Sequence, residues 1–124
     1  MANLVKSQVF GGPDKQILIG QDSNYSALGA VIAATGAADV DGKKIIKAGT
    51  PVKGDLKDRN TAFVKNTEAP NAIVLHDVDV TNGENNGTIV FVGTVDLNRV
   101  DADVEAMITA EVEAALPTVK FVKS

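Results

Sequence analysis

The side chains able to do chemistry in this sequence are few, and most of them fall in one stretch. His76 is the only histidine and there is no cysteine. A missing thiol removes disulfides, thiolate nucleophiles and thiolate metal sites together. With one His and no Cys, a zinc site would need three carboxylates, an uncommon ligand set. His76 is followed by Asp77, Asp79, Asn82, Glu84 and Asn85 in HDVDVTNGENNG, and that oxygen-rich run superficially suggests calcium. The EF-hand template does not fit it. With Asp77 first and Asp79 third, the obligatory glycine falls on Asn82 and the bidentate acid on Thr88. The stretch reads instead as an acidic strand end running into a polar loop. No serine sits in a G-x-S-x-G elbow, and Gly11-Gly12 and Gly83 to Gly87 lack phosphate-loop or dinucleotide spacing. The expectation is no catalytic residue, no metal and no cofactor, so not an enzyme. A cofactor-carrier reading would have only Lys43-Lys44 beside Asp41-Gly42 to use.

The elements that must position these residues are mostly strands. Residues 17–20 and 28–34 are short apolar runs of strand length, although the Ala and Gly content near 29–38 leaves helix open there. Asp41-Gly42 is a hairpin turn leading into residues 44–47. AGTPV at residues 48–52 turns into an extended segment, because Thr50 precedes a proline and is pushed out of the helical region. Residues 62–65 and 72–80 read as strands. In the second, Val74, His76, Val78 and Val80 share one face, opposite Ile73, Leu75, Asp77 and Asp79. Residues 81–87 are a polar loop, and 88–97 form the strongest strand, β-branched and aromatic. Residues 101–116 carry a helical stripe of Val104, Met107, Ile108, Val112, Ala115 and Leu116, capped by Asp101 or Asp103 and stopped by Pro117. Residues 118–123 return as a last strand. The fold class expected is α+β: a β-rich domain of short strands with one C-terminal amphipathic helix followed by a last strand.

Length and composition set the bounds. A chain of 124 residues is one domain's worth and buries roughly two thirds of its unfolded surface. Aromatics are only 4% of it, so Val, Ile, Leu and Ala must build the core. Twelve basic against 16 acidic residues give a net charge of −4, which disfavours nucleic acid as a partner. No run approaches the roughly 20 apolar residues a membrane span needs, and MANLVKSQVFGGP lacks signal-peptide architecture. No membrane partner is expected, and synthesis in a reducing cytoplasm fits. Residues 1–14 read as an N-terminal arm and 15–124 as the domain. Gly11, Gly12 and Pro13 interrupt regular structure behind the apolar Leu4, Val5, Val9 and Phe10, leaving either a mobile arm or a first strand.

The order of elements from Ala48 onward resembles a known family. AGTPV (48–52), NAIVLHDVDVTNGENNGTIVFVGTVDLNRV (71–100) and DADVEAMITAEVEAALPTVKF (101–121) are similar to the head decoration or head fibre proteins of tailed bacteriophages. The pattern is a strand ending in Asp-Val-Asp-Val-Thr-x-Gly, a polar loop, a second strand, Gly-x-Val-Asp-Leu, then helix, proline and strand. It covers roughly the last three fifths of the chain; residues 16–47 carry no matching pattern, and the shaft of longer fibre-bearing members is missing. The resemblance implies a structural virion protein on the capsid exterior. It would be made in the bacterial host and bind the major capsid protein as homotrimers at local three-fold sites, cementing the shell. An arm contact with the shell would fall to Leu4, Val5, Val9 and Phe10. The rival expectation is a small carbohydrate- or host-surface-binding module, for which Tyr25, Phe10, Phe63, Phe91 and Phe121 are the only aromatics available.

Overall fold

A computed structural model of the chain describes residues 16–19 and 25–123. Among these residues the strands are β1 (Ser26–Ile32), β2 (Ala38–Val40), β3 (Lys43–Ile46), β4 (Pro51–Lys53), β5 (Val64–Lys65), β6 (Ala72–Val74), β7 (Val78–Asp79), β8 (Asn85–Asp96) and β9 (Val119–Val122). Two short helices, α1 (Ala102–Glu105) and α2 (Ala110–Ala115), lie between β8 and β9. The fold is the α+β, β-rich domain that the sequence leads one to expect.

β8 is the spine. Its run NNGTIVFVGTVD is rich in β-branched residues, and its 12 positions are long enough to serve several partners in turn. Ala27 to Ile32 lie antiparallel to Asn85 to Val90, β6 pairs at Ile89 and Val90, and β9 pairs in parallel with Gly93 to Asp96. The larger sheet runs β1-β8-β6-β4-β5, with β9 attached to β8; a smaller sheet runs β2-β3-β7. The parallel β9 is possible because the helical stretch carries the chain back across the sheet before it.

Alternation along β6 and β8 feeds two cores, one on each face. Ile73, Leu75 and Val90 pack with Ile17, Leu18, Val95, Val100, Val104, Val112, Leu116 and Val119. Ala72, Val74 and Ile89 pack with Ile32, Ile46, Val52, Phe63, Val78 and Val80. Burying both faces explains why residues 72–74 are continuously apolar instead of alternating with polar residues. Among the described residues Phe63 is the largest fully buried side chain, and aliphatic residues supply the other large ones.

Three elements differ in detail from the sequence reading. The helical stretch 101–116 is two helices, because Thr109 takes an extended conformation (φ −93°, ψ 173°) and caps α2 with its hydroxyl, accepting from the Val112 N–H. The stripe survives the break: Val104, Val112 and Leu116 are buried and Ile108 packs against them. Residues 72–80 are also two strands. The chain leaves the large sheet after Val74 and joins the small one at Val78, so His76 falls in the connection. Finally, Asn85 to Gly87 belong to β8 and not to the polar loop, since they pair with Ala30, Val31 and Ile32. The ambiguous stretch near Gly29 is strand, with Ala30 and Ile32 buried. The Asp41-Gly42 hairpin forms as expected: both residues have positive φ (51° and 84°), the pairing of signs that a two-residue turn between twisted strands requires.

Candidate functional site

The segments that carry the resemblance converge in space. The turn 48–52 lies against the 73–77 segment: the Gly49 N–H donates to the Val74 carbonyl at 2.7 Å, and the Val74 N–H donates back to Thr50 at 3.0 Å. Asp77 closes this junction, its Oδ1 accepting from the Ala48 N–H at 2.8 Å. The Thr50 hydroxyl donates to the Lys47 carbonyl at 2.6 Å and is buried. Gly49 has φ +93°, and its bare Cα faces Val100 and Val104, the residues that lead into and sit within α1. Lys47 ties the same helix from outside, with its ammonium 3.1 Å from Asp103 and 3.2 Å from Asp101. The Asp103 carboxylate, then Asp101, holds the Lys47 amine above its usual pKa in spite of partial desolvation.

The Gly-x-Val-Asp-Leu signature forms a second junction. Asp96 is 1% exposed; its carboxylate accepts from the Asn98 N–H at 2.9 Å and lies 3.3 Å from Arg99 Nε. Arg99 Nη1 in turn donates to the carbonyls of Gln16 (3.3 Å) and Leu18 (3.2 Å). A buried acid and a half-exposed arginine thus staple residues 16–18 to the end of β8.

The acidic stretch is committed in the same way. Asp79 Oδ1 accepts from the Thr81 N–H at 2.9 Å, while Thr81 Oγ1 accepts from the Lys44 N–H at 2.9 Å and Asn85 Nδ2 donates to the Asp79 carbonyl at 3.0 Å. The hydrogen bonds from the Thr81 side chain and backbone hold the Asp79 carboxyl below its ordinary pKa. Among the described residues no group of three His, Asp or Glu side chains is placed to hold a metal ion. His76 is half-buried, with a buried Nδ1 that has no hydrogen-bond partner among the described residues. Leu4, Val5, Val9 and Phe10, the expected shell contacts, lie outside the described residues, as does the proposed arm 1–14.

Two surface features were not legible in the sequence. One is a depression of about 410 Å³ beside β1, lined by Gly29, Val31, Lys57, Arg59, Asn60 and Asn86 among others. The other is a groove of about 200 Å³ between the β2–β3 hairpin and α1, where Ala37, Ile45 and Met107 form the apolar part and Lys47 and Lys65 the rim. Each draws on segments far apart in the chain, so no local pattern announces it. Among the described residues no helix is long and apolar enough to cross a membrane. In comparisons with known proteins, no family model matches the chain and no curated protein is significantly similar to it.

Proposed function

We propose that this chain is a non-enzymatic structural protein of a bacteriophage virion, a decoration protein that binds the outside of the capsid and stiffens it. The observation that supports this reading is how the resembling residues are used. AGTPV meets IVLHD through two backbone hydrogen bonds, between Gly49 and Val74 and between Val74 and Thr50, and through the Asp77 carboxylate, and VDLNR clamps residues 16–18. The pattern that resembles the decoration family is, on this reading, a set of fold-determining contacts. Its chemistry-bearing members Asp77, Asp79 and Asp96 are engaged in holding turns and junctions together. A protein whose distinguishing residues build a stable β-rich platform suits a mechanical role, in which a surface does the work.

Leu4, Val5, Val9 and Phe10 are the proposed shell contacts, and trimers at local three-fold positions the proposed arrangement. Individual contacts of a short apolar segment are weak, because ordering it costs conformational entropy. A symmetric lattice offsets this by avidity. Binding to assembled shells alone then stabilises them by mass action.

The test is to titrate shells lacking the protein, image them, and heat them. Occupancy should saturate at a fixed ratio, roughly one copy per shell subunit if every local three-fold carries a trimer. Decorated particles should survive heat that opens bare ones. Deleting residues 2–12 should weaken binding by at least about tenfold, some 1.4 kcal/mol, while leaving the domain's melting temperature nearly unchanged. No exterior density at saturating protein would reject the capsid role and turn attention to a host-surface ligand.

A further inference from the structure

The outer edge of β1 presents main-chain groups that have no partner among the described residues, beside a charged rim. In a strand, alternate residues turn their N–H and C=O toward one neighbour and those between turn them the other way. Val31 fixes which set faces outward: its N–H donates to the Arg59 carbonyl at 3.3 Å and its carbonyl accepts from the Phe63 N–H at 2.8 Å. Two residues earlier, Gly29 faces the same side, and its carbonyl takes a hydrogen bond from Arg59 Nη1 at 2.7 Å. Two earlier again, Ala27 does so as well. The Gly29 N–H and both outward groups of Ala27 have no partner among the described residues. From Val31 onward the edge is covered by residues 59–63; before it no described residue pairs with the edge.

The depression beside this edge supplies the rest of a binding surface. Lys57 and Arg59 outnumber Asp58 on its rim, on a chain whose net charge is −4. Asp58 is moreover engaged by the Thr61 hydroxyl at 3.0 Å. Arg59 is exposed and spends one N–H on Gly29, in the place where a neighbouring strand's N–H would lie, while the guanidinium fork retains further donors. Gly29 itself carries no side chain to hold an incoming backbone away.

We propose that this edge is a docking site for an extended, acidic peptide segment of a partner protein. The segment adds as a strand along residues 27–29 and sets a carboxylate against Arg59 and Lys57. Main-chain hydrogen bonds give such strand addition its affinity, and the flanking charges give it selectivity. The inference is independent of the capsid role, since it concerns the edge and not which protein supplies the strand. Its rival is that Arg59 only guards an exposed edge against pairing, a common use of edge charge.

The test uses the full chain, isotope-labelled, titrated with the capped pentapeptide Thr-Val-Glu-Val-Thr and its counterpart with Lys in place of Glu. The expected result is amide shifts concentrated at Ala27, Gly29 and Arg59, with the acidic peptide binding at least about fivefold more tightly. Lys57→Glu with Arg59→Glu should reverse that preference, and both positions are exposed, so the fold is not at stake. Ala27→Pro removes an outward N–H without breaking the pairing to β8 and should abolish the shifts. Equal affinities for the two peptides, or shifts elsewhere on the protein, would overturn the proposal. So would an Arg59→Ala protein that self-associates while its peptide binding is unchanged, because Arg59 would then be a guard. Wild-type self-association lost on Ala27→Pro would assign the edge to a second copy of the chain and overturn it equally.

Discussion

Replacing Gly49 by alanine probes the junction between the 48–52 turn and the helical stretch, and the structure lets its cost be divided. At φ +93° any L side chain is strained, by about 1–2 kcal/mol. The new Cβ would also lie 2.8 Å from Val100 Cγ1 and 3.1 Å from Val104 Cγ1. Both valines are buried, and β-branched side chains have little freedom to swing a methyl aside. Overpacking of this kind costs about 1–3 kcal/mol. The unfolded chain loses entropy on Gly→Ala, which returns about 0.4–1 kcal/mol. The net expectation is a loss of about 2–4 kcal/mol. For a chain of this length that lowers Tm by about 8–16 °C, at roughly 4 °C per kcal/mol. Gly42→Ala is the control. Its φ is +84°, close to that of Gly49, but a Cβ there would meet nothing within 4 Å. It should cost only the backbone part, about 1 kcal/mol. Thermal and urea melts of the two variants therefore separate strain from packing. Val100→Ala placed on Gly49→Ala should recover part of the difference, as a coupled pair does. Equal losses for Gly49→Ala and Gly42→Ala would refute the idea that this turn is locked onto α1 by contact.

Other substitutions test the remaining joints. Ile108→Asp should cost several times what Met107→Asp does, because Ile108 packs on the core whereas Met107 lines the open groove beside the hairpin; urea melts showing equal losses would contradict that placement. Arg99→Ala should destabilise by about 1–3 kcal/mol, less than the 3–5 typical of a broken buried pair, because Arg99 is half-exposed and Asp96 keeps its Asn98 N–H. Faster amide exchange at Leu18 and Ile19 in that variant would show that the staple acts on this segment. For pH, the folded Asp79 carboxyl titrates below its ordinary value, so its contribution is present above about pH 4 and fades as pH falls through the folded pKa. Denaturant melts from pH 6 to 2 should therefore show the gap between wild type and Asp79→Asn narrowing below about pH 4, and a constant gap would remove the charge from the account.

What the sequence shows and what it hides follow from the range of the interactions. The Asp41-Gly42 hairpin, the strand at residues 88–97 and the C-terminal stripe rest on local chemistry, and all three are in the structure. The break at Thr109 is local too, but a β-branched residue inside an apolar stripe is tolerated by helices, and only its cap to Val112 marks the boundary. The division of residues 72–80 has a tertiary cause. Val74 and Val78 feed the same core from two different sheets, so their shared face is right while the single strand is not. His76 looked like a face residue because period two was carried through a bend. The candidate docking edge was the least legible feature, since it depends on residues 59–63 covering only part of β1, a long-range pairing with no signature of its own.

The acids illustrate how residues of chemical type can serve the architecture of a fold. Asp77, Asp79 and Asp96 stand in two short runs whose acid content invites a metal or a catalytic dyad. Each accepts a backbone N–H where the chain changes direction: at Ala48, where two distant segments meet; at Thr81, where β7 ends; and at Asn98, where β8 gives way to a helical turn. Short polar side chains are the usual solution wherever a strand end leaves an N–H without a ladder partner. That accounts for acids clustering at strand ends. It also separates the residues that specify this fold from the surface that would meet a partner. Substituting the three acids should damage folding first and binding only as a consequence. Substituting Lys57 or Arg59 should leave the melting temperature nearly unchanged and alter binding alone.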